Sequence, residues 1–427
     1  MFDFLSEKQK NNMIRNLINQ YQRTGKFTWG KNPFPESGQD AASIKEKLDF
    51  AKQFQVDEDD QVEEPETIDY ARFFIKLHSF ETEEADISFI RDSFDFLGCP
   101  VDVLNASRNV LCERYEVSPK DCDTGRVLKQ ARRMTCLVGS PVTMQETRRG
   151  TVKVTVSAED PATIHFGDIL LHGDFSGKKL PLCIGYDMDG QPIVEDLARL
   201  PHLLVAGQTG AGKSILLHNL ICSLLLESDA ELYLCDPKVV EMVYYKPLKR
   251  VHLVTETSHT VDLLGNLCKE MDRRYNTLCS AGCRDIDSYN EKGGEMKRKV
   301  LVVDELADLM EGTTPQLKRV ICSHLQRLGQ KARACGIHMI LCTQSPRKEC
   351  LPGIIKANIP AKICLKVSNQ TESRVVLDNI GAEKLAGKGR FLFQLGDRFE
   401  CQAGMIEERE INNAVWIAQQ RERGLAK

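Results

Sequence analysis

Eight consecutive residues, Gly207-Gln208-Thr209-Gly210-Ala211-Gly212-Lys213-Ser214, have the types and spacing of a phosphate-binding loop. The glycines let the backbone wrap closely around a triphosphate, so that successive N–H groups point at its oxygens. Lys213 can reach the β and γ phosphates of ATP, and the hydroxyl of Ser214 can ligate Mg²⁺. The apolar run His202-Leu203-Leu204-Val205-Ala206 precedes the loop, and the helix-forming stretch Ile215-Leu216-Leu217-His218 follows it. That is the context the chemistry requires: a strand delivers the loop, and the helix aims the positive end of its dipole at the anion. With strand, loop and helix in order, the chain is expected to bind a nucleoside triphosphate rather than merely to turn there.

A second constellation supplies what hydrolysis needs. Lys299-Val300-Leu301-Val302-Val303-Asp304-Glu305 is an apolar strand ending in two acids. Asp304 at its tip can hold the metal shell, and Glu305 beside the γ-phosphate can orient and deprotonate the attacking water. A passive nucleotide binder would have no use for Glu305. The run His338-Met339-Ile340-Leu341-Cys342-Thr343-Gln344 ends in a glutamine that can sense the γ-phosphate and relay hydrolysis to neighbouring loops. Arg333, in Gln330-Lys331-Ala332-Arg333, and Arg374, in Thr371-Glu372-Ser373-Arg374, are candidates for acting across a subunit boundary. A guanidinium placed there stabilises charge on the transferring phosphoryl group.

These groups must be positioned by strands. From residue 196 to about 405 the chain alternates apolar strands with longer helical stretches, the signature of an α/β domain whose parallel sheet is flanked by helices. The expected strands are His202–Ala206, Glu231–Cys235, Val300–Val303, His338–Thr343, Ala361–Val367 and Gly389–Gln394. Their near-continuous apolar character suits burial on both faces, and the loop then sits at a carboxyl end of the sheet. Residues 68–195 read as a small α/β domain. It has helices near 70–78, 85–97 and 126–135, strands near 110–117, 151–156 and 182–186, and a hairpin turn at Asp189-Gly190. Residues 1–67 read as a polar helical extension ending in an acidic linker, and 406–427 as a C-terminal helix.

Bulk properties set outer limits. A net charge of −4 over 427 residues excludes a uniformly basic polyanion binder, so contact with nucleic acid must use a local basic surface. The 16 cysteines are scattered without a C-x-x-C pair or a histidine at zinc-site spacing. With no secretory signal, they read as reduced thiols in a cytoplasmic protein. The longest apolar stretch, from Ile215 to Leu226, is interrupted by His218, Asn219 and Ser223 and is too short to span a bilayer.

From about Glu195 to Phe393 the residues closely resemble the motor domain of the FtsK/SpoIIIE DNA translocases. The matching blocks include Asp196-Leu197-Ala198-Arg199-Leu200-Pro201-His202 running into the loop, Asp236-Pro237-Lys238-Val239-Val240-Glu241, and Glu270-Met271-Asp272-Arg273-Arg274-Tyr275. Further on come Asp304-Glu305-Leu306-Ala307-Asp308, Gln330-Lys331-Ala332-Arg333-Ala334-Cys335-Gly336, Ile355-Lys356-Ala357-Asn358-Ile359-Pro360, and Gly381-Ala382-Glu383-Lys384-Leu385. The resemblance implies a RecA-like ATPase that assembles as a ring, a homo-hexamer, around double-stranded DNA. ATP with Mg²⁺ is its fuel, and the preceding 68–195 segment resembles the family's pre-motor domain more loosely.

In such a ring, pore loops track the phosphate backbone electrostatically. The basic candidates here are Arg347-Lys348, Lys356 and Lys297-Arg298-Lys299. Bacterial members of the family usually carry N-terminal membrane helices and often a terminal winged-helix module, neither of which is recognisable here. The expectation is therefore a soluble motor of a mobile element, recruited by a partner such as a relaxase-type protein. The alternatives are a motor for protein substrates and a nucleotide-dependent coupling scaffold.

Overall fold

A computed structural model describes residues 84–425, apart from 109–110, 148, 158–162, 240 and 312. The extension expected over 1–67 and the helix expected near 70–78 lie outside the described residues.

The first elements are α1 (Glu84–Phe96), β1 (Val101–Arg108), β2 (Cys112–Pro119), α2 (Thr124–Leu128), α3 (Ala131–Val138), β3 (Val142–Glu146) and β4 (Val152–Ser157). The strands form an antiparallel sheet in the order β1-β2-β4-β3. Ile90 and Phe94, one turn apart on α1, pack with Tyr115, Val117, Met134, Val152 and Val154 into one buried cluster. The single helix expected over 126–135 is two. α2 is one turn, capped by Asp123, whose carboxylate accepts from Arg126 N at 2.7 Å. The chain leaves helix at Lys129–Gln130 before α3 begins.

The remaining elements are α4 (Phe166–His172), β5 (Pro181–Asp187), β6 (Pro192–Asp196), β7 (His202–Ala206), α5 (Lys213–Glu227), β8 (Glu231–Cys235), β9 (Val251–Val254), α6 (Thr257–Ser280) and α7 (Ile286–Glu291). They continue through β10 (Lys299–Val303), α8 (Leu306–Met310), α9 (Pro315–Lys331), β11 (Ile337–Thr343), α10 (Gly353–Lys356), β12 (Ala361–Leu365), α11 (Gln370–Leu377), β13 (Arg390–Leu395), β14 (Asp397–Gln402) and α12 (Glu408–Glu422). Their strands build a ten-stranded sheet in the order β6-β5-β14-β13-β12-β7-β11-β10-β8-β9.

The half running from β12 to β9 is parallel. β7 and β11 are buried along their whole length, as strands covered on both faces must be. Leu204 and Ala206 join Leu264 and Leu267 of α6 and Ile321, Leu325 and Leu328 of α9 in one core. Alternation sends Leu203 and Val205 to the other face. The apolar stretch within α5 is a core helix, buried without interruption from Leu216 to Leu226 and packed on β5 and α12. Among the described residues no helix is long and apolar enough to cross a membrane.

The other half of the sheet departs from expectation. β13, β14, β5 and β6 pair antiparallel, so the sheet is mixed rather than parallel throughout. The hairpin around Asp189-Gly190 joins this sheet through β5 and β14, so the boundary expected at 195/196 runs through the large sheet. β14 escaped the sequence reading because Asp397, Arg398 and Glu400 interrupt its apolar residues, and β9 because it has only four residues.

Candidate nucleotide site

The loop between β7 and α5 is pinned from both neighbouring strands. Gly207 N donates to Thr343 O at 3.1 Å, and Gln208 N donates to Lys366 O at 2.9 Å. Gly210 and Gly212 have φ of +78° and +102°, a region that side chains disfavour. A Cβ on Gly212 would also meet the backbone of Gly389 at 3.1 Å. Gly389 closes the loop from above, its N–H donating to Ala211 O at 3.0 Å. α5 starts at Lys213 with no side-chain cap, which leaves its first N–H groups to the loop.

Strand order brings the distant acids to the loop. β11 lies between β7 and β10, so Thr343 and Gln344 stand at a strand end flanked by the ends of β7, which carries the loop, and β10, which carries the Asp304–Glu305 pair. Lys213 Nζ donates to Asp304 Oδ1 at 2.6 Å and to Asp304 O at 2.7 Å. Both side chains are buried. Burial works against the ammonium charge, but the Asp304 carboxylate and its hydrogen bond hold the lysine above its usual value.

Glu305 is buried and fixed at both oxygens. Oε1 accepts from Thr343 Oγ1 at 2.8 Å and from Ala307 N at 3.1 Å, and Oε2 accepts from Gln344 N at 2.7 Å. Thr209 Oγ1 of the loop donates to Gln344 Oε1 at 2.8 Å. Loop, glutamine and glutamate therefore form one hydrogen-bonded series.

Ser214 Oγ donates to Glu241 Oε1 at 2.8 Å. Glu241 lies in the segment after β8, which folds around Asp236. That buried carboxylate accepts from the backbone N–H of Lys238, Val239, Glu241 and Met242. His218 Nε2 lies 3.4 Å from Glu241 Oε2, and His218 Nδ1 lies 2.7 Å from the Tyr245 hydroxyl. The hydrogen bond from His218, aided by that from Ser214, holds the Glu241 carboxyl down at about 2. Sequence reasoning gave Glu241, Asp236, Thr343 and His218 no role at the site. The Asp236–Glu241 block was visible as a motif, but nothing in it says that it folds back onto Ser214.

A cavity of about 310 Å³ opens beside the loop, lined by Gly210, Gly212, Ile215, Lys388, Gln402 and Met405 among others. The residues present fit a metal–nucleotide. Two positive-φ glycines leave room for phosphate, a buried lysine faces it, and a serine hydroxyl and an aspartate supply the oxygen ligands that Mg²⁺ prefers.

Arg333 and Arg374 are both exposed. Arg333 precedes β11, at the end of the sheet opposite Thr343, so it stands away from the loop of its own chain. Arg374 lies in α11, whose start is tied to the loop through Ser368 Oγ, 3.2 Å from Gln208 Oε1. Of the basic candidates, Lys356 is paired with Asp378 at 2.6 Å, Arg298 with Asp287 at 2.6 Å, and Lys299 with Glu231. Lys297, Arg347 and Lys348 are exposed.

The FtsK/SpoIIIE family description matches residues 174–348. The chain is 33% identical over 342 residues to a DNA translocase FtsK of Caldanaerobacter subterraneus subsp. tengcongensis, covering 76% of this chain and 48% of that protein. It is 35% identical over 283 residues to the DNA translocase SftA of Bacillus subtilis, covering 62% and 29%. The chain thus spans about half the length of these relatives or less. Among solved structures, the pCW3 conjugation coupling protein TcpA, in monomer form with ATPγS, superposes with a TM-score of 0.57 at 25% identity. That likeness covers 78% of this chain and 99% of the other. The cytoplasmic domain of the type VII secretion ATPase EccC of Thermomonospora curvata shares the fold, with a TM-score of 0.52 at 22% identity, covering 62% and 34%.

Proposed function

The chain belongs to the FtsK/SpoIIIE family, and on that premise we propose that it is an ATP-driven double-stranded DNA translocase acting as a ring-shaped oligomer, a homo-hexamer. The observation that carries this reading is the series joining the loop to the acids. Lys213 touches Asp304, while Glu305 is held by Thr343 and by Gln344, which Thr209 contacts in turn.

In this reading the amides of Gly210, Gly212, Lys213 and Ser214 bind the phosphates, and Lys213 offsets charge on the β and γ groups. Ser214 and Asp304 would hold Mg²⁺, which supplies charge neutralisation at the phosphate oxygens when bound. Glu305 orients the attacking water and accepts its proton, and Gln344 reports the state of the γ-phosphate to β11. The cavity beside Lys388 and Gln402 receives the base and ribose. Arg333 or Arg374 of a neighbouring subunit completes the site, which makes turnover depend on assembly.

The reading of the cargo is supported by the likeness to the conjugation coupling protein, which extends over nearly all of that chain. It favours DNA moved during transfer of a mobile element, with a relaxase-type protein as recruiting partner. The test is ATP hydrolysis with and without linear duplex DNA, using Glu305→Ala as the control. Stimulation by duplex that vanishes in the variant supports a DNA-coupled motor. Turnover indifferent to DNA would instead favour a motor for protein substrates.

A further inference from the structure

One carboxylate at the loop has no part in the scheme above. Glu241 takes the hydrogen bond of Ser214 at 2.8 Å and is itself held from two more directions. Its N–H donates to Asp236 Oδ2 at 3.0 Å, and its second oxygen lies 3.4 Å from His218. His218 is braced by Tyr245, which is fully buried. So much fixation at an oxygen facing the loop is more than a solvated glutamate needs.

A hydroxyl oxygen that ligates a cation must present a lone pair, so its hydrogen has to point at an acceptor elsewhere. Glu241 is that acceptor. We infer that Glu241 is a positioning residue for the divalent cation of the nucleotide site: it takes the Ser214 hydrogen, aims the remaining lone pairs of Oγ at the metal, and sets a fixed negative charge behind that ligand. Partners of this kind orient ligands and raise their basicity, and their loss commonly weakens metal binding by roughly 10–100-fold. The inference rests on the reading of the loop as a Mg²⁺–ATP site.

The experiment measures ATPγS affinity of the full chain by calorimetry, with excess Mg²⁺ and with a chelator, for wild type, Ser214→Ala, Glu241→Ala and the double variant. The quantity read is the ratio of the two affinities. In Glu241→Ala it should fall roughly 10–100-fold, while metal-free affinity, which reports an intact loop, stays unchanged. The double variant should lose no more than Ser214→Ala alone, because Glu241 acts through Ser214. Glu241→Gln, which keeps an acceptor for the hydrogen but not the charge, should fall between wild type and Glu241→Ala.

Equal weakening with and without metal would reduce Glu241 to a loop brace and overturn the inference. So would an additive loss in the double variant. Failure of the underlying reading looks different: wild type would bind no ATPγS, or would bind it equally well without Mg²⁺.

Discussion

Thr209 in the phosphate loop donates its hydroxyl hydrogen to the side-chain oxygen of Gln344 at the end of β11, 2.8 Å away. The backbone N–H of the same glutamine donates to Glu305 at 2.7 Å. Gln344 thus touches both the element that binds phosphate and the group placed to activate water. Replacing Gln344 by Ala removes the contact with Thr209 but keeps the backbone donor to Glu305. Nucleotide affinity should change little while kcat falls about 100–1,000-fold, the range seen when a single transition-state donor is lost. Equal losses in affinity and kcat would show that Gln344 shapes the loop rather than the reaction.

Lys213→Ala should do two separable things. It abolishes ATPγS binding, and it strands Asp304 as a buried carboxylate, since the two side chains are 3% and 4% exposed. Breaking one partner out of a buried pair costs about 3–5 kcal/mol, so thermal unfolding should come several degrees lower. Near-normal ATP turnover in this variant would refute the loop assignment.

Arg390 should be among the costliest residues to truncate. It is 2% exposed, and its guanidinium lies 3.5 Å from Glu400 Oε1 and donates to Leu111 O at 3.2 Å, so it links the small antiparallel sheet to the large one. Arg390→Met leaves the Glu400 carboxylate, only 15% exposed, without its nearest cation. The expected loss is about 3–5 kcal/mol in denaturant unfolding, and Glu400→Gln on the same background should recover part of it. A loss below about 1 kcal/mol, the worth of an exposed pair, would show that Glu400 relaxes into solvent.

Acid should expose a buried histidine pair. His202, the first residue of β7, and His338, the second of β11, have ring centroids 6.4 Å apart, and burial pushes them down to about 3 and about 4. The native state keeps both neutral where the unfolded chain takes up protons near pH 6.5. Their contribution is therefore complete above about pH 6.5 and is lost as pH falls towards 4. Asp168 works in the opposite sense. Burial raises it to about 7, so below that pH it gains a proton in the native state before the unfolded chain does. His338→Gln isolates one histidine: its unfolding free energy should fall less steeply than wild type between pH 6 and 4.5, by about 1.4 kcal/mol per pH unit. Parallel curves would mean that His338 is charged in the native state.

Duplex affinity should fall steeply with salt, because each phosphate contact releases counterions. Arg347 and Lys348, exposed in the segment after β11, are the substitutions to make. Each change to Ala should reduce the slope of log K against log salt by about 0.9 and weaken all duplex sequences alike. An unchanged slope would remove them from the pore. Lys356, already held by Asp378, should have a smaller effect.

Much of the fold was legible because its signals are local. A strand buried on both faces reads as an apolar run, so β7, β8, β10 and β11 stood out, and the loop is a contiguous word. The edge strand β9 and the half-polar β14 did not, since neither carries a run long or apolar enough to separate from its surroundings. The residues Lys213, Ser214, Asp304, Glu305 and Gln344 were found from type and spacing, and the structure brings all five to one end of the sheet. Glu241 was passed over because its function depends on a neighbour that its own segment does not contain.

The amino-acid sequence by itself determined the phosphate loop, the acids at a strand tip and the alternation of strand with helix, because each depends on bonds and periodicities within a few residues. Only the tertiary structure decided which distant groups meet. Ser214 finds Glu241 27 residues away, Thr209 finds Gln344 across 135, and Arg390 finds Leu111 across 279. Strand order and register set those distances. They are fixed when the whole sheet packs and its buried polar groups are paired, a condition no local stretch of chain can express.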